Sequence, residues 1–490
     1  MLKKFSVIAF SLTCGCGTAM AQDASAVIAS AQKALGDVKA ITYSGAAKDV
    51  SFQQCGANST DMTCRSTHDP MRPINNYVRV IDLAGPASRA TGATNNIGAG
   101  GSTVLAPGTF FQQVTPQQAD VSQPWAGSLE LYLTPWGFLK GAAANNATVS
   151  RSKGHAVLSW SPAVKAPSGK NYVINGYVND KNLIDEVETW LGDNIMGDMH
   201  IVATYSGWKD FGGVMAPAKI VQTRGGWPFF DVDITSAKAN PADVATLVPA
   251  PAPAGGRGGA GGGGGGGRGP APALVVTTEK LGDGLWKLTT GAGSYDSIVV
   301  EFKDHVMLLE AGQSEARGLA YVAEIKKLVP NKPIRYVWTS HPHSDHTGGL
   351  PVLVAEGATI ITQKNNEKFL EGALDTPRTL MTDTLAKNPK KAKFETIGEK
   401  KVYSDGTRTV EFYHVFPAPH SNGLTIAYIP KEKILFQADF TVTPGEPAND
   451  HVKALGVALA KLNLDYDRYI PVHAGAAPLT KADVNKALGK

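Results

Sequence analysis

Cysteine is scarce in this chain of 490 residues, with four in all. Two of them, Cys14 and Cys16, fall in the N-terminal leader, which leaves Cys55 and Cys64 in the body of the protein. A zinc site built on those two is excluded, because no second cysteine or histidine pair accompanies them. Charge of one sign is also lacking: 47 Lys and Arg stand against 43 Asp and Glu, a formal net charge of +4. Over this length that balance gives no strong pull toward nucleic acid or an anionic membrane. Long apolar runs are missing too. The N-terminal one, F-S-V-I-A-F-S-L-T after M-L-K-K, is too short for a permanent membrane span, so no stable membrane insertion is expected.

That N-terminus instead predicts a signal peptide over residues 1–21. It has a charged start, a short apolar core and a small-residue cleavage site at Ala19-Met20-Ala21, with Gln22 beginning the mature chain. Neither Cys14 nor Cys16 follows the leucine-led box of small residues that lipid attachment favours, so export is expected, to the periplasm or the medium. Such a compartment is oxidising. Cys55 and Cys64, close together in the polar segment Q-C-G-A-N-S-T-D-M-T-C, are then expected to form a local disulfide.

The chain is too long for one ordinary domain. Its break is compositional: residues 249–273 run P-A-P-A-P-A-G-G-R, a glycine tract, then R-G-P-A-P-A, which is linker and not core. Arg257 and Arg268 have no aromatic residues among them, which argues against an RGG-type nucleic-acid segment. Residues 22–248 read as a separate, mainly antiparallel β-domain of unassigned role. Ala24 to Leu35 has helical spacing, and short alternating runs follow at Tyr77–Ile81, Ala156–Trp160, Tyr172–Val178, Ile184–Trp190, Ile201–Tyr205, Ala218–Thr223 and Phe229–Ile234. The stretch from Gln118 to Ala144 is expected to include helix, and Gly92 to Thr103 a mobile loop.

Chemistry is concentrated in residues 274–490. Between Trp338 and Leu350 the chain reads W-T-S-H-P-H-S-D-H-T-G-G-L. His341, His343, Asp345 and His346 follow the β-branched and aromatic run Ile334–Thr339 and precede paired glycines, which places them on a loop at the C-terminal end of a strand. Imidazole and carboxylate together suit zinc or iron. His341 and His343, two apart, can point the same way, whereas the adjacent Asp345 and His346 diverge and can serve a second metal or its water.

Three further residues repeat the pattern of an apolar strand ending in a ligand-type side chain. They are His420 in F-P-A-P-H-S-N-G, Asp439 ending I-L-F-Q-A-D, and His473 ending Y-I-P-V-H. Of the other histidines, His414 reads as a packing or edge residue, His305 as a turn residue, and His451 follows a P-A-N-D stretch expected to form part of a loop over the site.

These motifs, in this order, resemble the metallo-β-lactamase-fold hydrolase superfamily. H-P-H-S-D-H matches its H-x-H-x-D-H signature, and P-A-P-H-S-N-G, L-F-Q-A-D and I-P-V-H-A-G match its later motifs. The resemblance covers residues 274–490 and implies an αββα sandwich with a two-zinc site. His341, His343 and His420 would bind the first metal; Asp345, His346 and His473 the second; Asp439 would bridge them, and Asp345 would also be the catalytic residue. Departures are Ser340 for the usual threonine, Glu310 in E-A-G-Q where many members carry aspartate, and Ala438 for the usual glycine. Glu310 can still orient a ligand histidine.

The reading from sequence is therefore an exported dinuclear zinc hydrolase acting on a small-molecule substrate through an ester, lactone, amide or related bond. Two alternatives stand beside it: a mononuclear iron oxygenase on the same fold, and a periplasmic ligand-binding protein with an inert metal site. Substrate and oligomeric state are not encoded in any motif found.

Overall fold

The computed structural model describes residues 16–50, 71–85, 87–98, 101–104, 110–114, 125–248, 274–290, 295–443, 445–473 and 479–490. Most of the leader, the expected Cys55–Cys64 disulfide and the expected linker lie outside the described residues.

The helix Cys16–Leu35 runs from the leader into the N-terminal domain, which continues as a 12-stranded sheet whose pairings are antiparallel. Each predicted alternating run becomes a strand, for example Ile184–Asp193 beside Gly197–Ser206. Alternation decides which face is buried: Met199, Ile201, Ala203 and Tyr205 enter the core, while His200 and Thr204 face outward. The helix Pro135–Ala144 covers the inner face, with the Thr134 side chain accepting from the Gly137 amide and Pro135 in the first turn. One expectation fails. The described residues of Gly92 to Thr103 are strand, not loop, because Ala87–Gly98 pairs with both Arg72–Asp82 and Gly101–Val104. Its small residues carry no strand signature, but main-chain pairing requires none.

The C-terminal domain is the expected αββα sandwich, a 7-stranded and a 6-stranded sheet. Its central strands read as continuous apolar runs because both faces are covered. In the first sheet Met307, Leu309 and Trp338 pack inward against Phe412, Ile434 and Phe436 of the second. Leu308 and Val337 point the other way, onto the helices Glu315–Leu328 and Leu350–Glu356. The helix Asp450–Leu462 covers the outer face of the second sheet.

The two domains are joined by main-chain hydrogen bonds as well as by packing. Asp198 accepts from the Thr379 and Leu380 amides at 2.9 Å, and the Arg378 guanidinium donates to the Ile195 carbonyl at 3.2 Å and the Asn194 carbonyl at 2.5 Å. Leu380 and Ala373 are buried in the core of the β-domain. No helix among the described residues is long and apolar enough to cross a membrane.

Candidate metal centre

Strands of both sheets end along one edge of the sandwich, and the sheets are tied together there. The Thr425 amide donates to the Ser340 carbonyl (2.9 Å), the Trp338 indole to the Thr425 hydroxyl (3.1 Å), and the Asp296 amide to the Val472 carbonyl (2.8 Å). His341 and His343 follow the strand Ile334–Trp338, Asp439 follows Ile434–Gln437, and His473 follows Arg468–Pro471. His420 lies in the connection between Thr409–His414 and Thr425–Ile429. The segment after Trp338 is not wholly a loop: Ser344–Thr347 forms a single helical turn with His343 at its N-cap. That turn brings Asp345 and His346, which the sequence reading had diverging, to 3.2 Å between Oδ2 and Nε2. The paired glycines are required by close approach, since a Cβ on Gly349 would lie 2.0 Å from the Ala311 carbonyl oxygen and one on Gly348 2.2 Å from that of Gln313.

The seven side chains named from sequence meet as two groups, His341 with His343 and His420, and Asp345 with His346, Asp439 and His473. In the first, His341 Nε2 lies 2.9 Å from His343 Nδ1 and 3.0 Å from His420 Nε2. In the second, His473 Nε2 lies 3.1 Å from Asp345 Oδ2 and 3.3 Å from His346 Nε2. Asp439 stands between them: Oδ2 is 3.2 Å from His341 and 2.9 Å from His346, and Oδ1 is 3.1 Å from His473.

This geometry fits cations. Burial, reinforced by the charge of neighbouring histidines, holds His341 and His343 well below the usual imidazole range. That favours neutral imidazoles, whose ring nitrogens converge here. Four donors about 2.0–2.1 Å from a tetrahedral zinc stand about 3.3–3.4 Å apart, close to the observed separations. Burial works to raise the Asp345 and Asp439 carboxyls, yet the charge of His346 and the other histidines outweighs it and holds both well below the usual carboxylate range. The site thus brings two carboxylates and five imidazoles together, a donor set suited to divalent cations.

Behind the ligand atoms stands a layer of orienting groups. Glu310 Oε2 lies 3.0 Å from His346 Nδ1, and Glu310 Oε1 accepts from the Ser340 amide at 2.8 Å. The Ser340 hydroxyl, in place of the threonine usual in this motif, lies 2.9 Å from His341 Nδ1. Glu310 and Asp439 both have left-handed backbones, at φ 73° and 64°. Such strain is about 1–3 kcal/mol per residue and gathers at functional sites. Tyr295 was missed by sequence reasoning. Its hydroxyl donates to the Asp345 carbonyl (2.6 Å) and lies 3.0 Å from His346 Nδ1. It opens the strand Tyr295–Glu301 without any motif to mark it.

Of the remaining histidines, His414 ends its strand with Nε2 2.9 Å from the Asn422 carbonyl oxygen, and His305 is buried against Phe302 at 4.7 Å between ring centres. The P-A-N-D stretch before His451 has no regular element up to Asn449, whose side chain accepts from the Val452 amide and caps the helix Asp450–Leu462. His451 is buried in the first turn of that helix, its ring 5.2 Å from that of His420.

Residues 290–473, which span all seven of these side chains, match the family model of the metallo-beta-lactamase superfamily. The C-terminal domain belongs to that superfamily. Over 209 residues the chain is 25% identical to the 2,4-dinitroanisole O-demethylase subunit alpha of Nocardioides sp. (strain JS1661), covering 40% of this chain. The chain spans 57% of that relative's length. Among solved structures, the metallo-beta-lactamase from Pontibacter korlensis is 17% identical, with a TM-score of 0.34 over 44% of this chain and 98% of its own. The DIM-1 metallo-beta-lactamase is likewise 17% identical, with a TM-score of 0.35 over 44% of this chain and 97% of its own. The metallo-β-lactamase domain is thus joined here to a β-domain that the family match does not reach.

Proposed function

We propose that this protein is an exported metal-dependent hydrolase whose metallo-β-lactamase domain holds two zinc ions. His341, His343 and His420 would hold the first, Asp345, His346 and His473 the second, with Asp439 shared. The observation that carries this reading is the placement of Asp439, within 3.2 Å of His341 in one group and 2.9 Å of His346 in the other. When bound, a zinc pair supplies hydroxide from a shared water near neutral pH and polarises the carbonyl or phosphoryl oxygen of a substrate. Asp345, whose Oδ2 lies 3.2 Å from His346 and 3.1 Å from His473, would orient the attacking water, take a proton from it and pass that proton to the leaving group. His341 and His346 have no exposed surface, whereas the His473 side chain is 35% and that of Asp345 24% exposed. The second group is therefore the more exposed of the two. No serine, cysteine or lysine nucleophile is needed. Export rests on the leader of residues 1–21.

The bond cleaved is an ester, lactone, amide or related bond, since one metal site serves many such substrates. The name of the Nocardioides relative favours a second reading, removal of a methyl group from an aromatic ether. The test is a panel of a β-lactam, a long-chain lactone, a phosphodiester, an aryl sulfate and 2,4-dinitroanisole, assayed with zinc-loaded and iron-loaded protein while oxygen is monitored. Hydrolysis with zinc, lost in His341→Ala and Asp345→Ala without change in circular dichroism, supports the proposal. Full activity in either variant, or turnover only with iron and oxygen uptake, overturns it.

A further inference from the structure

A cleft of about 790 Å³ lies between the two domains, and the β-domain builds half of it. One wall is the turn Gly225-Gly226, whose positive φ values of 55° and 82° send the chain straight back into the strand that begins at Trp227. Gly225 packs so closely on Met196 that a Cβ would lie 2.1 Å from its methyl carbon. The opposite wall is the helix Lys364–Asp375 of the metallo-β-lactamase domain, which presents Lys368 and Phe369. The Trp227 and Phe369 rings meet edge to face at 6.2 Å, forming an aromatic wall that neither domain could build alone.

The charges in this cleft are unequal. Asp198, its one carboxylate, is occupied by the Thr379 and Leu380 amides, and His200 is held by Glu188 at 2.7 Å and stacked on Trp190 at 4.8 Å. Lys368 is exposed, and among the described residues its ammonium has no carboxylate partner. The cleft is therefore an aromatic groove with one unneutralised cation. Asn422, two residues along the chain from His420, also lines it. The Asn422 carbonyl is fixed there by the Asn365 amide of the same helix at 3.1 Å.

We propose that this interdomain groove is a substrate subsite for an aromatic body carrying an anionic group, with Trp227 and Phe369 against the ring and Lys368 on the anion. The inference rests on the hydrolase reading for what happens at the metals, and it gives the β-domain the role of selecting substrate. The volume suits a ligand of drug size, for which pockets run about 300–1,000 Å³.

The probes are 2-naphthoate and its neutral counterpart 2-naphthylmethanol, titrated by calorimetry into the full zinc-treated chain. The expected result is one naphthoate site per chain, weakened at least about tenfold by Trp227→Ala. Lys368→Gln is expected to weaken naphthoate about tenfold and leave naphthylmethanol unchanged. Naphthoate binding of equal strength in all three proteins overturns the inference, because the carboxylate would then be held elsewhere, the metals included. Equal weakening of both probes by Lys368→Gln overturns the anionic requirement. Zinc content measured on the same samples separates the two readings. A chain without zinc that still discriminates the probes keeps the groove and overturns the hydrolase, and a two-zinc chain that does not discriminate them does the reverse.

Discussion

Glu310 and Asp439 grip His346 from opposite sides: Glu310 Oε2 lies 3.0 Å from Nδ1, and Asp439 Oδ2 lies 2.9 Å from Nε2. Burial works to lower His346, but Asp345, Asp439 and Glu310 together hold it well above the usual imidazole range in the absence of a cation. A bound metal would replace the proton on Nε2, and Glu310, at Nδ1, would hold the tautomer that leaves Nε2 free to ligate. Glu310→Gln is expected to weaken metal affinity about 10–100-fold while the fold is kept. Chelator competition measures it, and unchanged affinity would show that Glu310 only fills space.

The site was legible from sequence where the chemistry needs a particular side chain at a strand end, as at His341, Asp439 and His473. It was illegible where the partner is main chain or the element is set by a cap. Tyr295 reaches the Asp345 carbonyl, and a carbonyl has no residue code. His451 is buried because Asn449 starts a helix one residue before Asp450, a local choice the P-A-N-D stretch left open. The sandwich was legible through the motifs of residues 274–490, which resemble those of the superfamily that has this fold. The pairing of Ala87–Gly98 was not, because its small polar residues give no alternation to follow.

The domain contact makes its own prediction. The Arg378 side chain is only 5% exposed, and it donates to Asp383 at 2.6 Å as well as to carbonyls of the β-domain. Arg378→Ala leaves those carbonyls without their donor and is expected to cost about 1.5–3 kcal/mol. Denaturant unfolding read by tryptophan fluorescence measures the cost. Splitting of one transition into two would identify the lost term as coupling between the domains.

Acid stability of the β-domain is tied to Glu188. Burial raises its carboxyl, but hydrogen bonds from His200, Asn175 and Tyr177 prevail and bring it down to about 2. A carboxyl depressed in the folded state stabilises above its unfolded value, about 4.3, and the gain is lost as pH falls through the folded value. Wild-type protein should therefore lose stability between about pH 4.3 and 2 more steeply than Glu188→Gln, which lacks the titrating group. Melting temperatures across that range check it, and parallel curves would contradict it.

The central claim is that two cations share Asp439, and metal content measured on the intact chain tests it most directly. After loading with zinc and removal of excess by gel filtration, elemental analysis is expected to give about two zinc per wild-type chain. Asp439→Ala is expected to hold about one or fewer, with hydrolysis lost. A single metal in the wild type, or two retained in Asp439→Ala with activity intact, would contradict the account.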